Sequence, residues 1–341
     1  MRRVKHQMRN SDWRLRQRFV DLLARHKSIF QEGLTGRIVK GIDYHVDVIN
    51  KDFRPPRPFS QQVSPLSERI ISYIIDDLIE MGVVRYHCDG VLPTACNVFL
   101  VGTDEKPRLV VNTSKLRNLV VKDGYYAPTA EQEISKIGGK DKNGLSPQFF
   151  GAWDIPNAYY QIPYDPRSPI ESRIFHFQNK TYVFNNLVMG GPNSMAALNR
   201  ALDSIFNGLP RFSHVADDSR ISGSSLEDFV ENTSLFLERC EKHNITLRPS
   251  KSVPIAKSTY WCGYYVDKDG FKADPHSKNI VLAWERPTTG KDLAKAVGIG
   301  NWMKLSIPNY EIIKTPLQNV LEKMYQSVGN SRKNAQLLVS K

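Results

Sequence analysis

Long apolar runs are missing from this chain. No stretch of its 341 residues approaches the roughly 20 apolar positions a helix needs to cross a bilayer, and no secretory signal pattern is present. The expectation is an intracellular protein, cytoplasmic or particle-associated, with no membrane partner. Cysteine is scarce. Cys88, Cys96, Cys240 and Cys262 form no C-x-x-C pair and share no metal-ligand spacing with the eight histidines, which argues against a disulfide scaffold and a structural zinc site. The four are expected to be reduced, mostly buried thiols. Acidic residues fall short of basic ones, 35 against 47, leaving a net charge of +12. Such a surplus suits a polyanion, nucleic acid first and an acidic membrane surface second, although a merely soluble basic protein accounts for it equally well. Internal repeats and low-complexity tracts are also absent, and a 40% hydrophobic content is that of a globular chain.

What is present reads as alternating helices and short strands. The opening "MRRVKHQMRNSDWRLRQRFVDLLARHK" is rich in Arg and poor in acids, as organelle transit peptides are. Yet Leu15, Phe19, Leu22 and Leu23 keep helical spacing, with Asn10 or Ser11 available as a cap, which predicts a docked amphipathic helix. Residues 50–66 carry four prolines and read as an extended connector. Ile70, Ile71, Ile74, Ile75 and Leu78 then define a helix face, stopped by Gly82. From Val83 to Val111, runs such as "NVFLVG" and "RLVVN", separated by the turn "TDEKP", predict a small antiparallel sheet. The segment "SRIFHFQNKTYVFNN" predicts a hairpin with Gln178, Asn179 and Lys180 at its tip. Helices are expected over 193–207 and 226–243, the second with Ser224 and Glu227 as a capping box. Two short strands are expected around "TYWCGYYVDKDGFKAD", and mainly helix beyond Pro275.

Two carboxylate positions stand out. Asp217 and Asp218 are adjacent between two β segments in "FSHVADDSRIS", where like charges repel. Asp154 ends the apolar strand "FFGAWD". Acidic residues at strand ends can converge on hard divalent cations, and a pair of such ions about 3.5–4 Å apart serves in-line phosphoryl transfer. From the residues alone, turn caps and solvated turn acids account for them as well. A further acidic pair, Asp76 and Asp77, lies on the polar side of a helix and is assigned no function.

Residues 41 to about 320 resemble the reverse transcriptases of gypsy-like LTR retrotransposons and their retroviral and pararetroviral relatives. "WDIPNAYYQIPY" resembles the first palm block, "LVMGGPNSMAALNRALDSIF" the "LPFGLxNAPxxFQ" block, and "VADD" the "YxDD" box. "LRPSKS", "WCGYYVDKDGFKADPHSK" and "LAWERPTTGKDLAKAVGIGNWMKLSIPN" follow in the family's order, and "IIDDLIEMGVV" and "PTACNVFLVGTDEKPRLVVNTSKLR" precede in it. The resemblance implies an α+β right-hand polymerase. Residues 1–40 would be a basic N-terminal extension with an amphipathic helix, and 41–147 the fingers. Residues 148–275 would form the palm, with a fingers hairpin near 165–187, and 276–341 the thumb and the start of a connection.

It also implies an activity, RNA-directed DNA polymerisation from a primer on RNA or DNA. The substrates would be dNTPs and the cofactor two Mg²⁺ ions, with Mn²⁺ as a substitute. The family usually adds an RNase H domain after the thumb; the chain ends at Lys341 without room for one, so other polyprotein products such as RNase H are expected as partners. Asp154, Asp217 and Asp218 would be the acidic triad, with Asp154 and Asp217 binding most of the metal, the Ile155 carbonyl assisting, and Asp218 shaping the turn. Arg108 and Lys106 would grip the triphosphate, Asn157 and Ala158 would offer backbone N–H groups, and Tyr159 would be the steric gate against a ribose 2′-hydroxyl. Met189 and Gly190 would line the nucleotide pocket, and Lys251 would protonate departing pyrophosphate. Val215, Asn112, Ser114 and Met189 depart from the family pattern without deleting a metal ligand. They leave room for a rival, a decayed or co-opted nucleic-acid binder. An RNA polymerase of the same palm type is a second rival, against which Tyr159 speaks.

Overall fold

The computed structural model describes residues 13–50, 63–87, 96–103, 107–114, 116, 118–283 and 286–327. Asn10, Ser11, Cys88, Lys106, most of the proline-rich connector and the C-terminal tail lie outside these. Helix α1 (Trp13–Arg25) buries Phe19 and Leu22 and leaves Arg14, Arg18 and Arg25 exposed, as its spacing predicts. Helix α2 (Pro65–Glu80) starts on Ser64, whose Oγ accepts the Ser67 N–H at 3.2 Å. Ile71, Ile75 and Leu78 form its buried seam, and the chain leaves the helix through Met81 and Gly82, the latter at φ +73°.

Strands β1 (Val84–Tyr86), β2 (Asn97–Val101) and β3 (Arg108–Asn112) follow. They do not make a sheet by themselves. After α3 (Ala130–Gly138) and β4 (Phe149–Asp154), the hairpin of β5 (Ile174–Phe177) and β6 (Lys180–Phe184) inserts between β1 and β2. The result is a five-stranded sheet, β1-β6-β5-β2-β3, antiparallel except where β2 meets β5 at Asn97 and His176. Gln178 and Asn179, at φ +49° and +59°, form the two-residue turn, because left-handed central residues match the twist of paired strands. Lys180 is not at the tip; it pairs with Phe177 inside the ladder.

The central sheet is built from β4, β7 (Phe212–Val215), β8 (Asp218–Gly223) and β9 (Val253–Ala256) in the order β7-β8-β4-β9, all antiparallel. Helices α4 (Ser194–Phe206) and α5 (Leu226–Lys242) interleave with these strands in sequence. The cap of α5 is Ser225, which accepts the Asp228 N–H, while the Asp228 carboxylate accepts from Ser224 N and Oγ. The box is therefore one residue later than the Ser224–Glu227 spacing predicts. On one face of the sheet, Trp153 meets Phe236 of α5 at 5.8 Å between ring centroids, and Phe206, Phe212 and Phe236 lie 4.6–5.7 Å apart. Side chains alternate along a strand, so Phe150, three residues before Trp153, packs on the other face with Ile134, Ile137 and Trp261.

A separate three-stranded meander of β10 (Thr259–Trp261), β11 (Tyr264–Asp267) and β12 (Gly270–Ala273) lies beyond, one strand more than the sequence predicts there. Helices α6 (Pro275–Leu282), α7 (Gly290–Trp302) and α8 (Tyr310–Ser327) complete the chain, in line with the expected helical C-terminal part. Among the described cysteines, Cys96 and Cys240 are buried and Cys262 is half-buried, all three as free thiols.

Candidate active site

A cavity of about 790 Å³ opens where the central sheet meets β3 and α2. Its wall holds most of the residues singled out in the sequence: Arg108, Asp154, Ile155, Asn157, Ala158, Tyr159, Met189, Asp217 and Lys251. They come from five separate segments. Asp154 is the last residue of β4, carried to the sheet's rim by the apolar strand behind it. Its N–H reaches Ser252 Oγ at 3.3 Å, and its carbonyl accepts the Arg248 N–H at 2.9 Å, so its backbone is tied to the loop before β9.

Asp217 sits in the two-residue turn between β7 and β8, closed by the Val215–Asp218 pair. Its carbonyl accepts the Ile155 N–H at 3.2 Å, which joins the two acidic segments directly. Ala216, the other turn residue, has φ +51°, a conformation that strains any residue with a Cβ. His214 supports the turn from below: its ring lies 3.2 Å from the Ala216 carbonyl and 2.9 Å from the Asp203 carboxylate, and its N–H donates to Glu133.

The electrostatics set Asp217 apart. It is crowded by surrounding protein while remaining open to the cavity, and burial pushes its carboxyl above the usual carboxylate range. The charges of Asp154 and Asp218 push the same way, and Arg108 opposes them. Asp154 has Arg248 Nε at 3.4 Å and Lys251 Nζ at 3.9 Å. Its Oδ2 is buried and accepts no hydrogen bond. That oxygen faces the Arg248 guanidinium as an ion pair without a hydrogen bond, which leaves it lone pairs for a further ligand. Among the described residues, no group of three or more His, Cys, Asp or Glu side chains is gathered as a metal site. Asp154 and Asp217, whose segments are joined through the Ile155 N–H, are two hard carboxylates that fit a hard divalent cation; Asp77 of helix α2, assigned no function from the sequence, lines the same cavity.

Tyr159 stands on the short 3₁₀ turn Ala158–Gln161 and lines the same cavity, its hydroxyl 3.5 Å from Met195 Sδ. Burial and then the Asp217 charge raise its phenol. Asn157, at φ +49°, starts that turn. Gly190 does not line the cavity. It backs Met189 against β3: a Cβ there would come within 2.9 Å of the Val110 side chain, and its carbonyl accepts Thr113 Oγ1 at 2.5 Å. Asp218 also stays off the cavity wall, paired with Arg220 Nη1 at 2.5 Å. Lys106 lies outside the described residues. Arg248 and Met195 line the cavity without having been singled out. For Arg248 the signal was present, a second cation three residues before Lys251; for Met195 there was none.

Comparison with known proteins bears on the fold. Residues 104–266 match the family Reverse transcriptase (RNA-dependent DNA polymerase). The retrovirus-related Pol polyprotein from transposon opus of Drosophila melanogaster is 24% identical over 76% of the chain, which spans only 25% of that polyprotein. Two solved structures of a foamy viral protease-reverse transcriptase share the fold over 94% of the chain. The one in complex with dsDNA has a TM-score of 0.78 at 17% identity, with 66% of it covered. The one in complex with an RNA/DNA hybrid has a TM-score of 0.76 at 16% identity, with 42% covered. The fold is that of a right-hand polymerase, and residues 104–266, the segment that matches the reverse transcriptase family, carry Asp154 and Asp217 on the central sheet.

Proposed function

We propose that the chain is an RNA-directed DNA polymerase that extends a primer with dNTPs on an RNA or DNA template. The observation that carries the reading is the convergence of Asp154 and Asp217 on one cavity wall with Arg108 and Tyr159. Asp154 and Asp217, with the Ile155 carbonyl, would hold two divalent cations, Mg²⁺ or in its place Mn²⁺. When bound, these supply activation of a primer 3′-hydroxyl and neutralisation of a leaving pyrophosphate.

The chain's own residues do the rest. The Arg108 guanidinium offers paired donors to triphosphate oxygens, with Lys106 as a second phosphate contact. Backbone N–H groups of Asn157 and Ala158 orient the same phosphates, and Lys251 stands beside Asp154 to give a proton to the leaving group. Met189, backed by Gly190, lines the nucleotide pocket. The ring of Tyr159 takes the space a ribose 2′-hydroxyl would need. The net charge of +12 holds a duplex by its phosphates, irrespective of sequence. RNA and DNA template-primers are the proposed macromolecular partners, alongside other polyprotein products such as RNase H. No helix among the described residues is long and apolar enough to cross a membrane.

The test is dNTP incorporation on a primed homopolymer template. Extension that requires a divalent cation and is lost in Asp217→Asn supports the reading. Binding of the primed template without extension would replace it with a nucleic-acid binder that has lost its chemistry, and equal use of rNTPs and dNTPs would replace it with an RNA polymerase.

A further inference from the structure

Arg220 is a buried cation in the middle of the central sheet, its side chain only 7% exposed. A charge so placed needs an anion and a partner for every donor. It has both. Nη1 donates to Asp218 Oδ1 at 2.5 Å and the Ser219 carbonyl at 2.9 Å. Nη2 donates to Asp218 Oδ2 at 3.3 Å and the Tyr260 carbonyl at 3.0 Å. Nε donates to Thr259 Oγ1 at 3.1 Å, and the guanidinium lies 5.4 Å over the Trp261 ring. Five donors meet five acceptors.

The strand register explains why Asp218 is the anion. Residues two apart on a strand share a face, so Asp218 and Arg220 lie side by side. Asp218 also pairs directly across the ladder with Asp154, and facing like charges repel. The repulsion is relieved in opposite directions. Asp154 turns to Arg248 and Lys251 and lines the cavity, whereas Asp218 turns along the strand to Arg220 and does not.

Resting on the polymerase reading above, we propose that Arg220 is a positioning residue. It withdraws Asp218 from the metal pair and ties the Ala216–Asp217 turn to strand β10, so that two carboxylates rather than three hold the cations. The strained turn is then fixed from outside, with Asp217 presented by a neighbour that is itself held at both carboxylate oxygens.

The test uses the full chain, first without metal. Asp218→Asn and Arg220→Met should each lower the melting temperature, and the double variant should lose clearly less than the sum. Additive losses would overturn the pairing. If Arg220→Met does not fold, Arg220→Lys, which keeps the charge but not the fork, takes its place in the cycle. The second readout is Mn²⁺ affinity, followed by electron paramagnetic resonance. With Arg220 gone, Asp218 is released as a third carboxylate, and Mn²⁺ should bind about threefold or more tighter, since ligand charge count sets affinity. That gain should vanish in Arg220→Met/Asp218→Asn. A merely structural Arg220 would leave the affinity of the folded variant unchanged or weaken it, and Asp218→Asn weakening Mn²⁺ as much as Asp217→Asn does would equally overturn the proposal. Coupled melting and tightened Mn²⁺ in a protein that never extends a primer would instead sink the polymerase reading and leave the tie standing.

Discussion

The back of the central sheet and its acidic rim follow opposite rules. Behind the sheet, Trp153, Phe206, Phe212 and Phe236 interlock as rings, buried and uncharged. In front, Phe150 packs with Ile134, Ile137 and Trp261, but at the rim three carboxylates meet within one turn and one strand end, beside a non-glycine residue in left-handed backbone. The back gains free energy by excluding water, at roughly 1.5–3 kcal/mol for each large side chain buried. The rim gives some of that back, because crowding like charges and bending Ala216 both oppose folding. Along β4 a single step leads from Trp153 in the ring layer to Asp154 at the rim. The lesson is that an apolar layer on one face of a strand can hold an unfavourable polar arrangement on the other.

The hardest way to break that relation is from behind. Phe236→Ala removes a fully buried ring that touches Trp153, Phe206 and Phe212, and should cost about 3–5 kcal/mol of stability in denaturant unfolding. Mn²⁺ binding and primer extension should fall with the folded fraction and return on cooling. Retained stability would mean that the rings do not support the sheet.

Breaking the rim should spare the fold. Asp217→Asn removes one of the two carboxylates proposed to hold the cations, so extension should drop on the order of 10²–10³-fold, while the unfolding midpoint stays near that of the parent. A collapse in stability would show that Asp217 is structural.

The same contrast decides what could be read from the sequence. The apolar run ending at Asp154 announced both its strand and its acidic end, because burial of one face leaves a pattern in the chain. The seam Ile71, Ile75 and Leu78 was legible in the same way. Partnerships set by long-range register were not. That β5 and β6 insert between β1 and β2 depends on which edges meet in space, and no local propensity encodes it. The Arg220–Asp218 pair was half legible, since two-residue spacing puts both on one face, but Thr259 and Tyr260 reach Arg220 from about 40 residues away. The Ser225 cap was missed because two adjacent serines both suit the role, and packing of the loop chooses between them.

A finer cut at the rim concerns selectivity rather than rate. Tyr159→Val should leave the carboxylates in place and relax discrimination against rNTPs by about 10- to 200-fold, the range that a few methylene-sized volumes command in a shaped pocket. Competition between dNTP and rNTP on one primed template measures it. Unchanged selectivity would return Tyr159 to the role of a packing residue against Met195.

The smallest effect tests the charge crowding itself. Burial, then the Asp154 and Asp218 charges, hold the Asp217 carboxyl above its ordinary value. The folded chain therefore binds this proton more readily than the unfolded chain, whose carboxylate titrates near about 3.9. The ionised group is a net cost above the raised folded value. That cost shrinks as pH falls through the raised value and is gone below the unfolded one. Asp217→Asn should thus melt slightly higher than the parent at neutral pH, by about 1 °C given the open, water-screened cavity, and the difference should close in acid. Metal binding runs the other way, since it needs the ionised form: Mn²⁺ affinity should begin to fall at a higher pH than an isolated carboxylate would give. Asp154→Asn removes one of the repelling charges and should move that onset to lower pH, measured on whatever Mn²⁺ binding remains. An onset that does not move would show that burial alone raises Asp217, and that the rim of the sheet is strained by its shape more than by its charge.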